Sequence, residues 1–129
     1  MSQICAGTCL LLSKPNRYAI EHLWIVVTEP DGNPQQVVMV NLTSERAGSD
    51  STVTLSPGDH SFITKKTVVN YSDARLVETG NLIALVALNR EAKKDDCNAA
   101  LLARIQQGML VSEFTPNKIK SYCQPRFQS

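Results

Sequence analysis

Two apolar, β-branched runs around one strong turn constrain this sequence more than any other feature. Leu23-Trp24-Ile25-Val26-Val27-Thr28 and Gln36-Val37-Val38-Met39-Val40-Asn41-Leu42 are strand-length and rich in the residues that pack on a pleated surface. Pro30-Asp31-Gly32-Asn33-Pro34 lies between them. Asp and Asn side chains bond their own backbone there, and Gly supplies positive φ. The segment therefore predicts two buried strands paired as an antiparallel hairpin.

Further strand signals surround the hairpin. Ile4 to Leu12 is a short apolar run, closed by a turn at Ser13-Lys14-Pro15-Asn16. Ser51-Thr52-Val53-Thr54-Leu55 alternates small polar and apolar residues and predicts a half-buried strand. After a turn at Ser56-Pro57-Gly58-Asp59-His60 come the short Ser61-Phe62-Ile63, then Thr67 to Tyr71 and Arg75 to Glu78 as two more strand segments. Leu82 to Leu88 fits a strand or a helix equally. Six or so short strands at close spacing predict a small closed or half-closed barrel.

Composition shifts once, near residue 90, from Val, Ile, Thr and turn residues to Ala, Leu, Gln and Lys. The expectation is a single domain over 1–129: a β-barrel over 1–90 and a helical tail over 91–129 packed on it. The fold class is mostly β with C-terminal helices, an α+β arrangement. In the tail, Asp95 or Asp96 is placed to N-cap a helix. Leu101, Leu102, Ile105 and Met109 share one face of it, and Gly108 weakens its end. Thr115-Pro116 reads as a cap followed by proline at the first helical position, with a second helix over Asn117 to Cys123. A DNA-binding helix-turn-helix needs a tighter connection than Gly108 to Thr115. The helices are instead expected to pack on the barrel through Leu101, Ile105, Met109 and Phe114.

With 129 residues, 43% hydrophobic and 19% charged, the chain suits one globular core rather than disorder. Thirteen basic against twelve acidic residues leave a net charge of +1, so no global field draws it to nucleic acid or membrane. A local basic patch remains compatible with that balance. No apolar run approaches the ~20 residues of a membrane helix. The N-terminus lacks the basic region and apolar segment of a signal peptide, so the expected location is the cytoplasm. Cys5, Cys9, Cys97 and Cys123 then read as free thiols. Four thiolates on zinc are the alternative, but Cys97 and Cys123 form no local knuckle, and Cys9 lies in an apolar strand.

Only two histidines are present, His22 and His60. Imidazole titrates near neutral pH and suits proton transfer. Each also reads as a turn histidine bonded to backbone. Thr43-Ser44-Glu45-Arg46 leaves the second hairpin strand with hydroxyls, a carboxylate and a guanidinium, which suit a phosphate or ribose. The same residues equally make a polar cap. Lys65-Lys66-Thr67, with Arg75 near, is the densest cationic stretch of the β half. It suits a nucleic-acid groove in which Tyr71 or Trp24 stacks on a base. Lys93-Lys94 and Lys118-Lys120 read as solvated helix-end charges.

Four segments over roughly residues 6 to 80 carry a resemblance. Ala6-Gly7-Thr8-Cys9-Leu10-Leu11 looks like an opening glycine and first strand; Leu23 to Thr28 is an apolar run ending in a hydroxyl residue. Val37 to Ser44 ends in a Thr-Ser pair, and Thr67 to Val77 leads through a polar turn into a strand. In this order they resemble the toxins of the PemK/MazF family, which are small SH3-like barrels. The resemblance implies a homodimeric endoribonuclease that needs no metal or cofactor, cuts single-stranded RNA, and is held inactive by an antitoxin protein. The ribose 2′-hydroxyl attacks the adjacent phosphate, so the protein supplies a base, an acid and charge stabilisation.

This sequence departs from the family where Arg-Pro heads the second strand and supplies a catalytic arginine. The position reads His22-Leu23, and the preceding loop is shortened to Ser13 through Glu21. Thr43 matches the family's catalytic threonine or serine. The resulting assignment makes His22 and His60 base and acid in either order, with Thr43 and Ser44 on the scissile phosphate. Arg46 or Lys66 stabilises charge, Thr67 contacts substrate and Tyr71 positions a base. The alternative is a barrel that has lost the reaction and binds nucleic acid or a protein partner.

Overall fold

A computed structural model of the chain describes residues 4–14 and 17–127. Pro15 and Asn16 of the first expected turn lie outside the described residues. The elements are β1 (Cys9–Lys14), β2 (Arg17–Val26), β3 (Gln36–Ser44), β4 (Thr54–Leu55), β5 (Thr67–Glu78) and α1 (Thr79–Leu88). A three-ten turn (Arg90–Ala92), β6 (Lys93–Lys94), α2 (Ala99–Val111) and α3 (Asn117–Phe127) follow. The six strands form one curled sheet in the order β4-β5-β3-β2-β1-β6. Every neighbouring pair is antiparallel. The α+β expectation therefore holds: a six-stranded half-barrel with C-terminal helices.

The central hairpin forms as the sequence predicts. Trp24 faces Asn41, Ile25 faces Val40 and Val26 faces Met39. Asp31 and Gln36 close its turn with reciprocal backbone bonds of 3.1 and 2.8 Å, and Gly32 there has φ 96°. Past Val26 the ladder changes character: Val27 N–H bonds Val38 O, and the Thr28 hydroxyl accepts from Val38 N–H at 2.9 Å.

The near-continuous apolar runs have a simple cause. Both faces of the sheet are covered. Leu23, Ile25, Val27, Val38, Val40 and Leu42 share one core with Ile105 and Met109 of α2 and Ile119 and Cys123 of α3. Trp24, Val26, Val37 and Met39 pack on the other face against Leu82 and Val86 of α1. Alternate residues of one strand thus enter two different cores, so no polar face shows in the sequence.

Several expectations change. The Leu82 to Leu88 run is helical, because Leu82 and Val86, four residues apart, both bury against the Trp24 face. It makes a third helix, inside the part expected to be β. The segments expected at Thr67 to Tyr71 and Arg75 to Glu78 are one strand. It pairs with β3 on both sides of a register shift between Met39 and Asn41, the kind of irregularity that bends a strand and increases its twist. The first strand begins at Cys9 rather than Ile4, and Ser61-Phe62-Ile63 is a turn. Lys93-Lys94 is a sheet-edge strand paired with Leu10 and Cys9, not a helix end.

The cap of α2 is Asn98 rather than Asp95 or Asp96; its side chain accepts from Leu101 N–H at 2.7 Å. The Thr115 hydroxyl is buried and has no hydrogen-bond partner among the described residues, so it does not cap α3. That helix begins just after Pro116 and runs to Phe127, beyond the expected Cys123. Phe114 is 56% exposed rather than packed inward. Its amide bonds the Ser112 hydroxyl at 3.1 Å, in a turn that carries the ring outward. Among the described residues no helix is long and apolar enough to cross a membrane.

Candidate functional site

A groove of about 290 Å³ opens where β3 ends and β5 begins. Its polar and charged lining is Glu21 and His22 from β2, Thr43, Ser44 and Arg46 at the β3 exit, and Thr64, Lys65 and Thr67 before and at the start of β5. Leu23, Leu42, Phe62 and Ile63 form its apolar wall. The sheet register creates it: Thr43 faces Val68 and Ser44 faces Thr67. Five residues singled out from the sequence, His22, Thr43, Ser44, Arg46 and Thr67, therefore line one site.

His22 is half-buried, and its Nδ1 lies 3.1 Å from the Leu42 carbonyl. A carbonyl only accepts, so Nδ1 carries the hydrogen. The neutral ring then keeps its basic lone pair on Nε2, the form a proton acceptor requires. The same bond holds the imidazole against β3, one residue before Thr43.

His60 is not placed as the expected partner of that chemistry. It is 7% exposed and does not line the groove. Its Nδ1 accepts from the Phe62 amide at 3.0 Å. Its Nε2 lies 2.6 Å from the Asp95 carbonyl, to which it donates. Both ring nitrogens are committed to backbone, so this histidine holds a turn.

Three further assignments are corrected. Tyr71 is fully buried in the helix-covered core, and its hydroxyl donates to Ile105 O at 2.7 Å. It offers no ring to a base. Trp24 is buried too, with the Arg75 guanidinium 4.9 Å from its ring centroid. Lys66 does not line the groove; it is exposed and pairs with Glu45 at 3.6 Å. Its neighbour Lys65, in the bend before β5, lines the groove instead.

Sequence reasoning missed Glu21 and Phe62 as lining residues. The Lys65-Lys66 pair gave the cation but not its direction. Phe62 reads in the sequence as part of a short strand; its place in a turn and its 43% exposure appear only in the structure.

The cysteines do not form a four-thiolate centre. Among the described residues no three or more His, Cys, Asp or Glu side chains are grouped to hold a metal ion. Cys9 and Cys97 are neighbours, with sulfurs 3.6 Å apart, while Cys123 is buried in the helix-covered core. The hydrogen bond between the two sulfurs lowers the Cys97 pKa and raises that of Cys9; burial raises Cys9 further. Burial pushes Cys123 up to about 11.

No protein-family profile and no curated protein sequence matches the chain. A solved structure does: an endoribonuclease in complex with its cognate antitoxin, from Mycobacterial species. The similarity has a TM-score of 0.52 at 17% identity and covers 84% of this chain and 93% of that one. At this identity the likeness concerns the fold.

Proposed function

We propose that this chain is a toxin-like endoribonuclease that cleaves single-stranded RNA without a metal. The observation that carries the reading is the convergence of His22, Thr43, Ser44, Arg46 and Thr67 on one groove of a fold shared with an endoribonuclease. Neutral His22 takes the proton of the 2′-hydroxyl at Nε2. The 2′-oxygen then attacks phosphorus and the 5′-oxygen leaves. The Thr43 and Ser44 hydroxyls donate to the phosphate oxygens, and Arg46 offsets the developing negative charge. Lys65 supplies the second cation and the proton for the leaving oxygen, the role that His60 cannot fill. A protein antitoxin is the proposed partner, by analogy with the neighbour's complex. The proposed homodimer rests on the family resemblance.

A second reading is favoured by one observation: His60 is fully engaged in holding a turn, leaving one imidazole at the groove. In it the barrel binds nucleic acid or a protein without cutting.

The test is incubation of wild type, His22→Ala and Thr43→Ala with a long single-stranded RNA in EDTA. Discrete fragments from wild type, ending in 2′,3′-cyclic phosphate and lost in both variants, support the first reading. Intact RNA bound with salt-sensitive affinity selects the second. Intact, unbound RNA removes RNA from the function.

A further inference from the structure

Phe62 lines two grooves at once. On one side is the Thr43 groove; on the other is a shallow groove of about 540 Å³ lined by Ser61, Phe62, Arg90, Lys93, Lys94 and Asp95. The aromatic ring thus stands between the proposed reaction site and a cluster of three cations. We infer that this second groove continues the binding path for single-stranded RNA. A base stacks on Phe62, and Arg90 and Lys94 take the backbone phosphates beyond it. The inference rests on the RNA reading proposed above and extends it.

Three features support the assignment. First, the platform is held in place. His60 accepts the Phe62 amide and bonds Asp95 O, and the Ser61 hydroxyl donates to the Asp95 carboxylate at 2.5 Å. The turn carrying Phe62 is thereby tied to the segment that carries the lysines. His60 acts here as a positioning residue.

Second, cations outnumber acids in the groove. Lys93 is paired with Asp96 at 3.0 Å, and the Asp95 carboxylate accepts from the Ser61 hydroxyl and keeps its negative charge. Among the described residues, Arg90 and Lys94 make no ion pair, and Glu91 does not line the groove. Arg90 and Lys94 therefore face the one carboxylate of Asp95 and leave the groove a net positive charge.

Third, the buried Tyr71 and Trp24 leave the stacking role unfilled. Phe62 is the aromatic lining of both grooves. Stacking tolerates any base, and cations beside an aromatic form the usual single-strand arrangement.

Edge-strand lysines also serve simply to keep a sheet edge from pairing with other chains. Binding measurements separate the two roles. The probes are labelled 2′-O-methyl oligonucleotides of about three and about eight nucleotides, spanning less and more than one such path. They lack the attacking hydroxyl and stay intact. Wild type should bind the longer probe at least about tenfold more tightly. Phe62→Ala should remove about tenfold from the longer probe's affinity, and Phe62→Trp should restore it. The double variant Arg90→Glu/Lys94→Glu should lower the salt slope for the longer probe by about 1.4, or 0.7 per lost phosphate contact, and leave the shorter probe unchanged.

The inference is overturned if the longer probe gains nothing over the shorter, or if these variants bind both probes like wild type. The RNA reading would survive that result if wild type still cleaved RNA and Thr43→Ala did not. Failure of wild type to bind either probe or to cleave RNA would remove both.

Discussion

The hydroxyl of Tyr71 occupies the space that a Cβ at Gly108 would need, while donating to the carbonyl of Ile105 one turn earlier. Val53 Cγ2 closes the same space at 2.5 Å. Glycine at this position is therefore a close-approach residue, which lets α2 lie down on β5.

Gly108→Ala inverts the usual helix rule. Alanine in an exposed helix interior would stabilise by about 1 kcal/mol. Here the added methyl meets a buried phenol, and overpacking costs about 1–3 kcal/mol. A fall in the urea midpoint is expected. Tyr71→Phe with Gly108→Ala should cost less than the sum of the two single changes, since removing the hydroxyl clears part of the clash. Additive costs would show that the two side chains do not compete for that space.

The two histidines should separate in a stability measurement. His60→Ala removes two hydrogen bonds at a buried site and leaves the Phe62 amide unpaired, so a loss of about 2–4 kcal/mol is expected. His22→Ala removes one bond at a half-buried ring and should cost about 0.5–1.5 kcal/mol. Urea unfolding of both variants is the check. A larger loss at position 22 would reverse the roles assigned here.

Cys97 should be the thiol that reacts first within its pair. Its pKa is lowered by the hydrogen bond with Cys9, and its side chain is only half-buried. Thiolate is the nucleophile, so iodoacetamide near neutral pH should label Cys97 before Cys9 or Cys123. Cys9→Ala removes that hydrogen bond and should slow the labelling. Peptide mapping after limited alkylation reads both results, and Cys123 labelled first would refute the assignment.

Alkali should unfold the protein through its buried acids. The hydrogen bond to Cys97 and then burial raise Cys9, burial raises Cys123 to about 11, and burial with the Asp50 charge raises Tyr71. A raised folded pKa means that the unfolded chain loses its proton first. The stability is fully present below the unfolded thiol value of 9.0 and is lost as pH climbs toward the folded values. Urea midpoints should fall between about pH 9 and 11, and Cys123→Ala should flatten part of the slope. A midpoint independent of pH across that window would contradict it.

Local chemistry made some of this legible in advance. The hairpin follows from β-branched runs flanking an Asp-Gly turn. The helical face of Leu101, Ile105 and Met109 follows from spacing alone. His22, Thr43, Ser44 and Arg46 were visible as candidates because an imidazole, hydroxyls and a guanidinium beside apolar strands suit proton transfer and phosphate contact, though the same residues equally read as polar caps.

The sequence by itself determined that a β hairpin and a helical tail would form, and which residue types could carry proton transfer and phosphate contact. Only the tertiary structure decided where those residues point. Tyr71 and Phe62 are both aromatics beside cations in the sequence, yet β5 turns one into the core and a pinned turn leaves the other in solvent. Lys65 and Lys66 differ by one position, yet Lys65 lines the groove and Lys66 pairs with Glu45. The run at Leu82 became a helix because an apolar sheet face was waiting for it. His60 became structural because the Asp95 carbonyl, thirty-five residues on, folds back to meet its ring. Each outcome depends on partners distant in sequence, which local propensity does not encode.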